Sequence, residues 1–182
     1  KQGVDIPLAD FLAAYKFENN FNDSAKTNNG TGTGVTFSGV QKIAGATSAL
    51  FAFTTSPDYV TIPYSTDFDF SAVINSKPFS ISMWVYMTED SVSFIRSDLT
   101  PLTSVVGRWI NLVGTYDGVT DCQLYVDSVA GSATANTNAF AKIKNYNQTI
   151  KLGTPGWFAN TGQPLAFKGY MDETYIYNKK LT

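Results

Sequence analysis

An all-β chain folded as an antiparallel β-sandwich is the architecture this sequence predicts. Period-2 alternation of apolar and polar residues recurs between turn signals, and helical periodicity is nearly absent. The 14% aromatic content suits strands and flat contact surfaces. With 182 residues, 43% of them hydrophobic and only 15% charged, the chain carries enough apolar material for one packed core. No internal repeat or linker divides it, so residues 1–182 are read as a single domain.

The strands follow in order. Phe11, Ala13, Tyr15 and Phe17 alternate onto one face of the first. The polar stretch from Glu18 to Gly34, dense in Asn, Gly and Thr, reads as turns. Short strands are expected near Val35–Phe37 and Ser48–Phe53, and Tyr59-Val60-Thr61-Ile62 forms another that Pro63 stops. The clearest alternation is Phe79, Ile81, Met83, Val85 and Met87, which point inward and leave Ser80, Ser82, Trp84 and Tyr86 on the opposite side. There Trp84 and Tyr86 are read as packed under the other sheet or a loop, an open sheet face being the alternative. Arg108 to Tyr116 leads through Asp117-Gly118-Val119-Thr120-Asp121 into Cys122–Asp127, a hairpin. Ile150-Lys151-Leu152-Gly153 and Phe167 to Tyr177 supply the last strands. In the latter, Met171 and Thr174 both look core-facing although three apart, and a β-bulge at Asp172-Glu173 accounts for the broken period. Trp109 is read as core, Tyr175 and Tyr177 as structural, and Cys122 as a small buried hydrophobe.

Several functions are excluded by what is missing. A formal charge of −2 with no basic run leaves no footprint for nucleic acid. One cysteine allows neither an internal disulfide nor a cysteine metal cluster. The absence of histidine removes the commonest general base and zinc ligand, and with them any Ser-His-Asp or Cys-His site. No apolar run reaches the roughly 18 residues of a membrane helix. The opening Lys1-Gln2-Gly3-Val4-Asp5 is no signal peptide, so a processed chain or a piece of a longer polypeptide is expected. Sequons at Asn22, Asn29 and Asn147 arise readily by chance in Asn/Thr-rich sequence.

Two groups of residues offer chemistry. Glu18, Asn19, Asn20, Asn22 and Asp23 present hard oxygens in one loop, which suits Ca²⁺, and Asp172 and Glu173 form a second acidic group. The competing reading is an ordinary Asx-turn with Asp172 capped. Trp157 and Phe158 lie between Pro155-Gly156 and Asn160-Thr161-Gly162, a surface loop in which aromatic faces stack on sugar rings and Asn160 bonds hydroxyls. The competing reading is a ring that plugs the end of the sandwich.

Five segments, in order, resemble the laminin-G-like jelly rolls of the concanavalin-A-like lectin/glucanase superfamily. They are Leu12-Ala13-Ala14-Tyr15-Lys16-Phe17-Glu18-Asn19-Asn20 with Asn22-Asp23-Ser24, then Asp58-Tyr59-Val60-Thr61-Ile62-Pro63, then Phe79-Ser80-Ile81-Ser82-Met83-Trp84-Val85. Trp109 to Gly118 with Leu124-Tyr125-Val126-Asp127 makes the fourth, and Phe167 to Asn178 with Leu181 the fifth. The resemblance implies adjacent first and last strands with a structural Ca²⁺ between their carboxylates. Carried over, the ligands are Glu18, Asn20, Asp23 and Asp172. One departure is that only residues 88–108 separate Met87 from Trp109, where the family has further strands, so a sheet edge is expected to be shortened there. Related glycosidases carry an acid-X-acid-X-acid strand, whereas Glu89-Asp90 and Asp172-Glu173 are adjacent pairs pointing to opposite faces. No catalysis is expected.

The function implied is a non-catalytic carbohydrate-binding or adhesion module of a secreted or surface protein, with a glycan or glycoconjugate as partner. The alternative is a structural or decoration domain of a virion or surface appendage, acting through protein neighbours. Fold analogy alone favours the first.

Overall fold

The computed structural model describes residues 7–53, 58–71, 77–89, 105–119, 121–131, 148–154 and 167–182. Two antiparallel sheets face each other. The larger has the order β3 (Thr36–Ser38), β4 (Ser48–Phe51), β11 (Gly169–Tyr177), β6 (Phe79–Met87), β7 (Trp109–Tyr116), β8 (Cys122–Val126) and β9 (Val129–Ala130). β1 (Phe11–Tyr15) joins it on β11, continuing the edge that β4 occupies further along. The smaller sheet is β10 (Ile150–Leu152), β5 (Tyr59–Ile62) and β2 (Thr31–Thr33).

Alternation builds the core between them. Val85 and Met87 of β6, Ile110 and Leu112 of β7, and Met171 and Ile176 of β11 meet Val60 and Ile62 of β5 and Leu152 of β10. All are buried, and each contributes roughly 1.5–3 kcal/mol of transfer free energy. Ile81 and Met83 pack against this cluster, so the inward set read along β6 points where alternation puts it. Phe51 and Phe167 close one side with an edge-to-face contact at 5.4 Å.

First and last strands are paired: Ala13, Ala14 and Tyr15 lie opposite Ile176, Tyr175 and Thr174. β11 carries the expected bulge, since its register against β6 shifts between Asp172 and Tyr175 and Glu173 has φ 46°. Met171 and Thr174 consequently both face inward, at 1% and 0% exposure. The β7–β8 hairpin is present as read, with Asp117 Oδ1 accepting from Val119 N and Asp121 N across the turn.

Five details differ from the expectation. The register of β1 shifts between Phe11 and Ala13, so Phe11 turns away from the core and packs on Tyr175 and Tyr177 at 5.7 and 4.9 Å. Phe17 leaves the strand at φ 54° yet stays buried. Inside the polar stretch 18–34 lies a strand, β2, whose Thr-Gly-Thr sequence has no apolar residue to announce it; Gly32 leaves room for the tip of the Phe21 ring, whose Cζ lies 2.4 Å from where a Cβ would stand. Cys122 is exposed, because β8 runs near the sheet margin, where Leu124 is also 39% exposed and only Val126 is buried. Trp109 is half-buried and faces away from the core, which Ile110 enters instead. The region 90–104, where a shortened edge was expected, lies outside the described residues.

Candidate functional site

The face of the large sheet turned away from the core carries an ordered set of aromatic rings. Register places Tyr170 opposite Tyr86 and Tyr86 opposite Trp109, so three neighbouring strands present one ring each in a single row. Tyr86 meets Trp109 at 5.7 Å and 67°, and Tyr170 at 5.8 Å and 81°, both edge-to-face. All three are half-buried and keep part of each ring at the surface. In the next row of the same face stand Asp172, Trp84 and Asn111. Trp84 and Tyr86 therefore do not pack beneath the smaller sheet, which covers the opposite side of β6. Sequence reasoning missed this row because it joins three strands distant along the chain, and only their register aligns them.

Asp172 is completely buried although it belongs to this outer face. A strap formed by residues 39–47 covers it. Ile43 N and Ala44 N donate to Asp172 Oδ2 at 2.8 and 3.3 Å, and Glu173 N donates to Oδ1 at 2.9 Å. Glu18 holds the other end of the strap, accepting from Ala46 N at 2.8 Å and Thr47 N at 3.3 Å. Between these anchors Gly45 sits at φ +62° with Glu18 Oε1 only 1.5 Å from where a Cβ would stand, so no other residue fits there unstrained.

The carboxylates here crowd one another. Burial, more than any neighbour, pushes Asp172 above the usual carboxylate range; the strap N–H groups pull it down and the charge of Glu18 pushes it further up. Burial and then Asp172 raise Glu173 as well, and Lys16 opposes them.

Of the four residues carried over as Ca²⁺ ligands, Glu18 and Asp172 are brought to this strap. Asp23 lies on the other side of β1, bridged to Tyr15, where its carboxylate accepts from Ala14, Ala25 and Asn28 N–H groups. Asn20 bonds within its own turn, donating to Glu18 O and accepting from Asn22 N. Among the described residues no three side chains of metal-ligating type converge. The Glu18 and Asp172 oxygens already accept backbone N–H groups of the strap, and crowded negative charge is what a divalent cation would relieve there. Trp157, Phe158 and Asn160 lie outside the described residues.

With this geometry in hand, known proteins supply a frame. Residues 96–182 match the family model of the concanavalin A-like lectin/glucanases superfamily, and the fold is a concanavalin A-like jelly-roll β-sandwich. Domain 4 of an extracellular arabinanase from Geobacillus stearothermophilus, solved in complex with arabinotriose, superposes with TM-score 0.66 at 19% identity, over 95% of this chain and 94% of that one. The binding domain of Paraclostridial Mosquitocidal Protein 1 matches with TM-score 0.66 at 14% identity, over 96% of this chain and 50% of that one. The ligand binding domain of botulinum neurotoxin serotype D, solved with N-acetylneuraminic acid, matches with TM-score 0.65 at 11% identity, over 96% and 49%. The chain thus spans about half the length of these toxin domains. A search of curated protein sequences gives no match. Among the described residues no helix is long and apolar enough to cross a membrane.

Proposed function

We propose that this chain is a non-catalytic carbohydrate-binding module that works outside the cell. The observation that carries the reading is the aromatic row Tyr170–Tyr86–Trp109 on the outer sheet face, with Trp84 and Asn111 beside it. Aromatic rings fixed on a rigid sheet bury the apolar face of a sugar with little loss of side-chain entropy, and neighbouring amides bond its hydroxyls. Structures of the same fold solved with arabinotriose and with N-acetylneuraminic acid support a glycan as partner. A chain without histidine supports a binding role over catalysis. Trp157, Phe158 and Asn160 form a second candidate contact, proposed from the sequence. A Ca²⁺ held by Glu18 and Asp172 serves structure, fixing the strap beside the aromatic face.

A glycan array tests the proposal. The protein is expected to bind a defined set of glycans, and Tyr86→Ala to weaken that binding at least about tenfold, or about 1.4 kcal/mol, while circular dichroism stays unchanged. Loss on Trp157→Ala with Tyr86→Ala silent moves the site to the loop. An array without any bound glycan removes the proposal.

A further inference from the structure

We infer that the turn 23–28 is a guard on the open edge of β1: it stands where a neighbouring strand would lie and keeps a second copy of this chain from pairing there. β1 lies at the margin of the large sheet, with β11 as its one partner strand among the described residues. Its sequence, Phe11-Leu12-Ala13-Ala14-Tyr15, is apolar and aromatic, without a charge, proline or glycine. A strand of that kind at a sheet margin offers N–H and C=O groups to any other strand, and natural sheets blunt such margins.

Here one short segment does the blunting. Backbone pairing begins at the bridge between Tyr15 and Asp23, where Ser24 N donates to Ala14 O at 2.8 Å. It goes no further, because the chain bends away from Ser24 onward. Side chains then occupy what a strand would have bonded. Asp23 Oδ1 accepts from Ala14 N at 2.9 Å, Ser24 Oγ donates to Ala14 O at 3.0 Å, and Asn28 Nδ2 donates to Leu12 O at 3.2 Å. Leu12 to Tyr15 are all at 8% exposure or less, so the edge is closed.

The guard also carries the charges that β1 lacks. Lys26 pairs with Asp67 at 2.7 Å, and Asp67 Oδ2 accepts from Asn28 Nδ2 at 3.0 Å, which ties the far side of the turn to the segment 65–67. An incoming strand meets this ion pair and the Asp23 carboxylate instead of free peptide groups. The strand it excludes is β1 of a second copy. Two such edges are self-complementary when antiparallel, the isologous contact of a two-fold dimer, and neither brings a charge or proline to oppose the other.

Size-exclusion chromatography with light scattering over a dilution series tests this. Asp23→Ala frees Ala14 N and unties Ala25 and Asn28. It is expected to double its molar mass at concentrations at least about tenfold below any at which the parent associates. In that dimer the Ala14 amide is expected to regain protection from hydrogen exchange. Asp23→Asn, which keeps an acceptor oxygen, is expected to stay monomeric. Ile62→Ala empties a buried position of the small sheet at a comparable loss of stability, and is expected to stay monomeric too. Where Asp23→Ala does not fold, Asn28→Ala decides: it opens Leu12 O and is expected to dimerise more weakly. Opened variants that remain monomeric throughout, or an Ile62→Ala variant that associates as readily as they do, overturn the inference.

Discussion

Asp23→Ala is expected to lower the unfolding free energy by roughly 3 kcal/mol, and the melting temperature by about 6–12 °C. The side chain is 6% exposed and accepts from Ala14 N at 2.9 Å, Ala25 N at 3.0 Å and Asn28 N at 3.1 Å. Removing it strands these donors, those of Ala14 and Asn28 in buried surroundings, at a place where β1, the turn 23–28 and the core meet. The turn is tied in further by Asn28, whose carbonyl accepts from the Tyr15 hydroxyl at 2.6 Å and whose amide donates to Leu12 O and Asp67 Oδ2. Burial first, and the charge of Asp23 second, hold the Tyr15 phenol far above its ordinary range, so it remains a donor at any physiological pH. Asp23→Asn, which keeps one acceptor oxygen, is expected to cost less. Urea unfolding measures both, and an alanine variant within about 0.5 kcal/mol of the parent contradicts the assignment of Asp23 to structure.

Calcium produces the second large effect. At 100-fold excess over its dissociation constant, Ca²⁺ is expected to add about 2.7 kcal/mol of stability, and chelator to remove it. The metal-free chain holds Asp172 and Glu173 with raised folded pKa values, so the folded state there binds protons more readily than the unfolded one. Their contribution to stability therefore falls as pH rises from the ordinary carboxylate range through the raised folded values. A bound divalent cation favours the ionised carboxylates and abolishes that decline. Thermal melting in chelator and in CaCl₂ across pH 4–8 checks this, with the Glu18→Gln/Asp172→Asn double variant expected to lose the response to calcium. Superimposable melting curves rule the ion out.

The sequence carried those parts of the fold that depend on local period. β6 shows unbroken alternation, and the Met171/Thr174 mismatch marked the bulge because both side chains had to reach one core. Features set by neighbours were hidden. β2 exists because Gly32 admits the Phe21 ring and pairs with Val60, and neither fact shows in Thr-Gly-Thr itself. Cys122 looked buried by residue type, yet the sheet margin leaves it exposed. At the candidate site Glu18 and Asp172 were read in two separate acidic groups that only the family resemblance brought together, and the strap that joins them uses the backbone of residues 43–47, which no side-chain motif announces. Trp84 and Tyr86 were correctly turned away from the core by alternation, while their partners Tyr170 and Trp109 emerged only from the pairing register.

Nuclear magnetic resonance with a bound oligosaccharide tests the central claim most directly. Adding a saturating glycan from the array is expected to shift the indole signals of Trp84 and Trp109 and the ring signals of Tyr86 and Tyr170, with intermolecular contacts from sugar C–H groups to these rings. Shifts confined to other residues, with the four rings unmoved, contradict the account.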